Sequence, residues 1–460
     1  MQDVKSARLL LGLAWLAGFT LIDSSIVSLA LPDIARDFDR SVGELAWVST
    51  GFLLALAATL LAAGRLSDRF GARLVLTGGA VAFLLTTAAS GLAPSFELLV
   101  VARVAQGIAG GVLYTVSLAI AATAFPHERR ASALGFYFTS GALGAVIGPV
   151  VGGVLTDLGG WRLVFFAQLP LPLAVAVAAY LLLPPSAGRR ARFDIPGVAS
   201  ASLFVVATTF ALLELSVPDA RLTALVAAFI AVASLVAFVM IELRTDEPAV
   251  RLAIFGNRRF VVASAAGAGA WFAITSSTIY PALYLQLGRG YSATDAGILL
   301  LPAPLVGLLF FPFAGRIVGR LGVDRSVLIG LLLLVGSGVA MATWGDTTDQ
   351  WIIVLTNLVT GAGLALTLVA SATDALSQFT PAEAGTGSAV FNSLRQLGAA
   401  MGVALPAVAF ELIAAGSRSS GAALAGSSDA LLVRVVVLAI PLVLVLSRFG
   451  ARTAAPQVPA

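Results

Sequence analysis

The chain has 460 residues, of which 59% are hydrophobic and only 11% charged, and its net charge is +4. A soluble protein carries about 25% charged residues, so the composition excludes an ordinary soluble enzyme or binding domain and indicates a membrane protein. The absence of Cys and the presence of a single His, His127, exclude a thiolate metal site, a cysteine nucleophile and a histidine-rich metal centre. The basic residues form no cluster or stripe of the kind that binds nucleic acid.

The apolar residues are gathered in runs long enough to cross a hydrocarbon layer of roughly 30 Å. Fourteen runs are predicted as membrane-spanning helices, at residues 9–31, 44–63, 73–92, 97–123, 131–156, 161–183, 195–215, 222–242, 260–286, 293–314, 325–343, 351–376, 384–414 and 429–448. An even number of spanning helices places both termini on the same side of the membrane. Most of the 28 Lys and Arg residues fall on that side, which the positive-inside rule identifies as the cytoplasm. The loop at 378–383 has no basic residue, and Arg434 is assigned to an outer segment.

In the N-terminal half, two predicted helices carry a charged residue within an apolar run. Asp23 lies midway along the first helix, which we expect to be retained and not removed as a signal, and Arg103 lies in the fourth. Ionisable side chains inside a membrane are costly and usually face a cavity, so we expect both to face a wet crevice between two halves of a bundle. Two alternatives stay open: Asp23 as the structural partner of a buried hydroxyl or arginine, and Arg103 extending to the membrane interface.

The loop after the second helix recurs later in the chain. Residues Gly64–Gly71 read Gly-Arg-Leu-Ser-Asp-Arg-Phe-Gly, and Gly315–Gly322 read Gly-Arg-Ile-Val-Gly-Arg-Leu-Gly. This repeat predicts an N-terminal six-helix bundle at 1–184, a two-helix insertion at 185–250 and a C-terminal six-helix bundle at 251–460. Paired six-helix halves are an architecture of secondary transporters, with the substrate site between the halves.

The fifth predicted helix has a face of small residues. Gly144, Gly148 and Gly152 recur every four residues, Gly153 follows, and Pro149 lies between them. A glycine face lets a second helix backbone pack closely, and proline is expected to kink the helix.

On these segments the sequence resembles the major facilitator superfamily, and more narrowly its fourteen-helix branch of drug:proton antiporters. The resemblance is carried by Leu21–Pro32 in helix 1, Gly64–Arg73 in the loop, Leu99–Gly111 in helix 4 and Gly141–Gly153 in helix 5. It implies an all-α polytopic membrane protein with two six-helix bundles and two inserted helices, and it favours export over uptake.

The resemblance also implies roles for individual residues. Asp23 and Arg103 would couple transport to protons. The residues of the conformational gate would be Gly64, Asp68, Arg69, Gly71 and Arg73, although the basic residue usual in the family after Gly71 is replaced by Ala72. The antiporter-type helix would be defined by Gly144, Gly148, Pro149, Gly152 and Gly153. For the loop, a role in membrane orientation alone is the alternative.

The later part of the chain offers weaker candidates for a substrate cavity. These are Glu214, Tyr280, Tyr284, Asp374 and Arg395. Glu214 lies near a helix end, where an interfacial position is the alternative. For the two tyrosines, helix packing or an interfacial belt is the alternative.

The sequence therefore predicts a proton-coupled secondary transporter that exports drug-like, hydrophobic or cationic small molecules by alternating access. We expect a monomer in the plasma membrane with both termini cytoplasmic, and with small-molecule substrate, protons and lipid as its partners. No cofactor, metal or enzymatic activity is expected. The alternative is an exporter of one metabolite, lipid or self-made antibiotic. A channel, a membrane-embedded enzyme and an ATP-driven pump have no supporting signature, since no pore ring, catalytic cluster or P-loop is present.

Overall fold

The computed structural model describes residues 4–39, 42–185, 194–215, 220–245, 248–291, 293–380, 383–414 and 420–453, and the regular structure in these ranges is helical. The helices are α1 (Val4–Phe19), α2 (Asp23–Phe38), α3 (Val42–Phe70), α4 (Ala72–Gly91), α5 (Phe96–Thr123), α6 (His127–Phe166), α7 (Pro170–Leu182), α8 (Ile195–Glu214), α9 (Arg221–Glu242), α10 (Arg258–Leu283), α11 (Ala293–Leu300), α12 (Pro302–Leu321), α13 (Val323–Ala342), α14 (Gln350–Leu376), α15 (Ala384–Ala414) and α16 (Ser420–Thr453). Tight 3-10 turns occur at Thr20–Ile22 and Leu252–Gly256, and a π-helical turn at Tyr284–Gly288.

Eleven helical spans within the described ranges are long and apolar enough to cross a membrane. Their bounds lie within a few residues of most predicted runs, because apolar length and loop punctuation together determine where a spanning helix can begin and end. The prediction of an all-α polytopic membrane protein is confirmed.

The first predicted helix is divided by a tighter turn. The chain forms the 3-10 turn Thr20–Ile22, and Asp23 is the first residue of α2. The backbone keeps right-handed helical angles at Phe19, Ile22 and Asp23. Asp23 therefore lies within the helical run in which the sequence places it.

A second difference concerns the fifth and sixth predicted helices. The helix α6 runs through Pro149, and its backbone leaves helical angles at Gly159 (φ −153°, ψ 20°) and Gly160 (φ 70°, ψ 178°). Gly160 has a positive φ, which glycine adopts without a steric penalty. The break thus comes at the paired glycines and not at the proline.

The chain forms two compact units. The first comprises Met1–Ala211, Leu225–Ile254 and Leu376–Ser393, so it includes residues that the sequence assigns to the C-terminal bundle. Within this unit α3 packs along α5, α2 along α6, and α4 along α5 and α7. Small residues allow these approaches: a methyl group on Gly111 would lie 2.7 Å from the carbonyl oxygen of Leu56.

The second unit comprises Leu212–Ala224, Phe255–Ala375 and Leu394–Ala460. Within it, α16 packs along both α10 and α13. One of its hydrophobic clusters contains Tyr280, Tyr284, Leu285, Ala296, Leu299, Met341, Trp344 and Ile353.

The repeated loop has the same backbone geometry in both copies. Gly71 separates α3 from α4 with φ 86° and ψ 146°, and Gly322 separates α12 from α13 with φ 82° and ψ 160°. Both positions require a residue without a β-carbon. The glycine spacing of the repeat is thus explained by two equivalent sharp turns.

Candidate functional site

A buried ion pair between α2 and α5 is the first part of the candidate site. Arg103 Nη1 donates to Asp23 Oδ2 at 2.6 Å, and Arg103 Nε donates to the carbonyl oxygen of Val48 at 3.1 Å. The Phe52 ring lies 4.5 Å from the guanidinium carbon, which places an apolar, polarisable face against the cation. The pair is strongly constrained, since breaking a buried ion pair typically costs about 3–5 kcal/mol.

Gln106 joins the two charged groups into a network. Its Oε1 accepts from Arg103 Nη1 at 2.7 Å, while its Nε2 donates to Asp23 Oδ1 at 3.1 Å and to Thr87 Oγ1 at 2.8 Å. Thr87 in turn donates to the carbonyl oxygen of Phe83 at 2.7 Å. Each polar group named here therefore has a partner, as buried polar networks require.

The network is closed to solvent in this conformation. Asp23 is 0% exposed and Arg103 is 1% exposed. The expectation that both face a wet crevice is therefore wrong for this state, because they satisfy each other inside packed protein. Arg103 does not extend to the membrane interface, so the alternative for that residue is wrong in this conformation. Asp23 does have a buried arginine as its partner, as the alternative for that residue anticipated.

The glycine face of α6 packs beside Asp23. A methyl group on Gly144 would lie 3.3 Å from Ile22 Cγ1, and one on Gly152 would lie 2.5 Å from the carbonyl oxygen of Ile26. Gly148 is buried, whereas Gly153 has open space around its missing side chain. Two of the predicted glycines thus hold α6 against the chain segments on either side of the ion-paired carboxylate.

The second part of the site joins Asp68, near the end of α3, to the first turn of α15. Asp68 Oδ1 accepts from Gly385 N at 2.9 Å, and Oδ2 accepts from Thr386 N at 2.8 Å and Thr386 Oγ1 at 2.6 Å. The first N–H groups of a helix have no partner within the helix, and their dipole favours an anion. Asp68 therefore caps a helix that begins 316 positions later in the chain.

Glycines allow this close contact. A methyl group on Gly64 would lie 2.6 Å from Ala389 Cβ, and one on Gly385 would lie 2.5 Å from the carbonyl oxygen of Gly64. The predicted gate arginines point elsewhere: Arg69 lies 5.2 Å from the Phe70 ring and Arg73 lies 4.5 Å from the Tyr180 ring. The contact is therefore made by Asp68, by its partners in the first turn of α15 and by the glycines.

The substrate-cavity candidates occupy varied surroundings. Tyr280 donates to the carbonyl oxygen of Val403 at 2.5 Å, and Tyr284 donates to that of Gly345 at 2.6 Å. Both tyrosines belong to the hydrophobic cluster described above, so in this conformation they pack helices together. Glu214 is half-buried at the end of α8.

The charged candidates of the second unit also have close neighbours. Asp374 Oδ2 accepts from Arg448 Nη1 at 2.9 Å, and Arg448 Nη2 lies 2.8 Å from Asp324 Oδ1. One arginine on α16 thus joins the end of α14 to the start of α13. Arg395 is 2% exposed, and its guanidinium carbon lies 4.9 Å from the Trp271 ring.

Arg434 corrects the sequence assignment, which placed it in an outer segment. It is 0% exposed on α16, where Nη1 contacts Met341 Sδ at 2.9 Å and Nη2 contacts Ser337 Oγ at 3.2 Å. The predicted span of 429–448 already contains this residue, so the outer assignment disagreed with that span as well. The helix α16 begins at Ser420, and Arg434 lies well inside it.

Sequence reasoning missed several partners. Gln106 follows Arg103 by three residues and so shares its helix face, a signal that was available. The backbone contacts of Gly385 and Thr386 could not have been found, because a backbone N–H at a helix start has no characteristic side chain. Among the described residues, no group of three or more His, Cys, Asp and Glu side chains is arranged to hold a metal ion.

Comparison with known proteins agrees with the family resemblance that the sequence motifs show. The family model of the Major Facilitator Superfamily matches residues 13–403. The multidrug resistance protein Stp of Mycobacterium tuberculosis is 31% identical over 84% of this chain and 72% of its own. The tetracenomycin C resistance and export protein of Streptomyces glaucescens is 32% identical over the same shares.

A solved structure supports the fold independently of close sequence similarity. The human organic anion transporter MFSD10 (TETRAN) superposes with a TM-score of 0.71 at 17% identity, covering 96% of this chain and 100% of that chain. Identity this low supports the fold alone.

Proposed function

Because this chain belongs to the major facilitator superfamily, we propose that it is a proton-coupled secondary transporter that exports drug-like, hydrophobic or cationic small molecules. The observation that carries this proposal is the buried pair of Asp23 and Arg103 inside an apolar bundle. Relatives that share about a third of the sequence are named as drug resistance and antibiotic export proteins. Ionisable groups in membrane spans commonly form proton relays.

The chemistry of the pair explains how a proton could drive a conformational change. While Asp23 is ionised, its charge compensates that of Arg103 and the packed state is favoured. Protonation of Asp23 leaves Arg103 with only the neutral acceptors of Val48 and Gln106, and a buried charge without a counterion is costly. The protonated protein therefore favours a conformation in which water reaches Arg103.

The closure of the network is consistent with alternating access. With Asp23 0% exposed, a proton reaches it only after the surrounding helices move apart. A carboxylate that exchanges protons in one conformation and is sealed in another can link proton entry to substrate release. A cationic substrate would compete with the proton for the same carboxylate.

The contact of Asp68 with α15 is proposed as the cytoplasmic gate. Three hydrogen bonds to one carboxylate hold the closed arrangement, and hydrogen bonds to a charged group contribute about 1.5–3 kcal/mol each. Opening the gate breaks all three together. The proposed gate is thus a two-state contact of the kind that a conformational cycle requires.

The membrane arrangement completes the proposal. We place fourteen spans in the plasma membrane with both termini cytoplasmic, and two six-helix bundles at 1–184 and 251–460 flank the insertion at 185–250. The protein works as a monomer, and the antiporter-type glycines of α6 position the helix beside Asp23.

A second candidate is the export of one antibiotic, lipid or metabolite made by the producing cell. It is favoured by the name of the tetracenomycin C relative, which specifies export of a single compound. Both candidates are tested by a resistance profile in a host without its own exporters. Raised resistance to several unrelated cationic or hydrophobic drugs, lost when the pH gradient is collapsed, supports broad efflux. Protection against one compound supports the specific exporter, and no protection against any compound contradicts both.

A further inference from the structure

Two buried carboxylates lie side by side where the inserted helix α8 begins and the inserted helix α9 ends. Asp194 precedes α8 and is 8% exposed, and Glu242 ends α9 and is 5% exposed. Both face Gly197, where a methyl group would meet the Asp194 carboxylate and would lie 2.9 Å from Glu242 Oε1. The two acidic groups therefore share one small buried space at the junction of the insertion.

Placing two carboxylates side by side in a buried space costs free energy, so other contacts must offset that cost. Two like charges repel each other in a buried position, and a carboxylate at the C-terminus of α9 also opposes the helix dipole. Backbone N–H groups offset part of this cost. Gly197 N donates to Asp194 Oδ1 at 2.9 Å, Ala249 N to Asp194 Oδ2 at 3.4 Å, and Val250 N to Glu242 Oε1 at 3.2 Å.

The contacts to Ala249 and Val250 fix the chain that leaves the insertion. In the next residue, Arg251, the atom Nη1 lies 3.7 Å from Glu383 Oε1. Glu383 directly precedes α15, whose first turn is capped by Asp68. The fixed segment thus reaches the start of the helix that forms the proposed gate.

The residues of this connection, Asp194, Glu242, Arg251, Glu383 and Asp68, all belong to the first unit. The end of the insertion and the proposed gate are therefore joined within that unit by the ion pair of Arg251 with Glu383.

From these contacts we propose that the inserted helices are part of the cytoplasmic gate. Asp194 and Glu242 form a clamp on Ala249 and Val250 that positions Arg251 beside Glu383, and this contact stabilises the closed gate at the start of α15. The inference rests on the proposed role of Asp68. It assigns Asp194, Glu242 and Arg251 as positioning residues, which act on transport without touching substrate.

The test uses cysteine labelling, since the natural sequence has no Cys. Ser388→Cys places the reporter thiol behind the gate, where Ser388 is 0% exposed and donates to the Thr115 carbonyl oxygen at 2.9 Å. Ser90→Cys is a second buried reporter in the same unit, away from the gate. The full-length protein is labelled in membranes with N-ethylmaleimide, and the rate is compared between variants.

The primary variant is Asp194→Asn, which can still cap α8 through its amide oxygen but presents an NH₂ group to Ala249 N. The second is Arg251→Ala, which removes a largely exposed side chain at little risk to folding. We expect each variant to raise labelling of Ser388→Cys about threefold or more, the effect of losing roughly one hydrogen bond or ion pair, without changing Ser90→Cys. Asp349→Asn, an exposed carboxylate ahead of α14, is the matched control and should change neither rate.

Asp68→Asn separates this inference from the proposal on which it rests. If Asp68→Asn raises labelling of Ser388→Cys while Asp194→Asn and Arg251→Ala do not, the insertion only packs against the unit and the inference is wrong. A parallel rise at Ser90→Cys means general loosening and also overturns it. If Asp68→Asn has no effect either, the gate proposal fails and the inference fails with it.

Discussion

The carboxylate of Asp68 accepts hydrogen bonds from both the backbone N–H and the hydroxyl of Thr386, a residue 318 positions later in the chain. The contact joins the glycine-rich turn after α3 to the unsatisfied N–H groups at the start of α15. It accounts for a carboxylate among the basic residues of that loop, which membrane orientation alone does not require.

Replacing Asp68 tests the energetic value of this contact. Asp68→Asn should reduce the rate of substrate transport about tenfold or more, because an amide cannot accept at both positions and loses the charge that the helix start favours. Transport is measured in proteoliposomes with an imposed pH gradient. Asp157→Asn, which changes an exposed carboxylate on α6, is the control and should transport at the parent rate. Parent-like transport by Asp68→Asn would show that the contact is not a gate.

The geometry of the buried pair predicts that its arginine is not replaceable by lysine. Arg103→Lys retains the charge, but one ammonium group cannot reproduce the fixed fork that reaches Asp23, Gln106 and the Val48 carbonyl oxygen. We expect at least a tenfold loss of transport.

The control for this variant is Arg162→Lys. Arg162 also pairs with an aspartate, Asp37, at 2.6 Å, but the two side chains are 42% and 43% exposed. Exposed pairs contribute about 0–1 kcal/mol, so this variant should keep nearly full transport. Equal effects at the two arginines would contradict a special role for the buried network.

The glycine face of α6 gives a paired prediction within one helix turn. Gly152→Ala should lower stability by about 1–3 kcal/mol, because its methyl group would meet the Ile26 carbonyl oxygen and push α6 away from α2. Gly153→Ala should be neutral or slightly stabilising, since that position is open and alanine is the better helix former. The thermal unfolding midpoint of the purified protein in detergent measures both. The reverse order would contradict the packing described for α6.

The contacts of Arg448 predict a measurable coupling in the second unit. Arg448→Gln should lower the thermal midpoint, because it leaves Asp324 and Asp374 facing each other without the cation between them. Adding Asp374→Asn to Arg448→Gln should recover part of the loss, since it removes one of the two like charges. A double-mutant cycle from the four midpoints isolates the interaction, and strict additivity would show that the groups do not interact.

The sequence predicted most of the helices because spanning a bilayer requires a long run of residues, and only apolar residue types can fill such a run. It predicted the buried charges Asp23 and Arg103 for the same reason, since a charge in such a run is conspicuous. It offered a buried arginine as an alternative partner of Asp23 but did not identify Arg103 as that arginine, because residues 80 positions apart meet only through helix packing.

The misses have physical causes of their own. The 3-10 turn before Asp23 lies inside an apolar run, and hydropathy does not distinguish such a turn from α-helix. The partner of Asp68 is a helix start, which contributes backbone groups common to every sequence. Arg434 was assigned to an outer segment although it lies inside the predicted span 429–448, and its side chain contacts Met341 and Ser337 of α13.

The central claim is that Asp23 is the carboxylate that couples protons to transport, and its most direct test is Asp23→Asn in proteoliposomes with an imposed pH gradient. Because this variant leaves Arg103 without its counterion, Asp23→Asn combined with Arg103→Gln provides a neutral network that should fold. Asp33→Asn, which alters a pair with the largely exposed Arg36 on the same helix, is the control. We expect both Asp23 variants to lose gradient-driven counterflow while Asp33→Asn retains it. Counterflow at the parent rate in Asp23→Asn would contradict the claim.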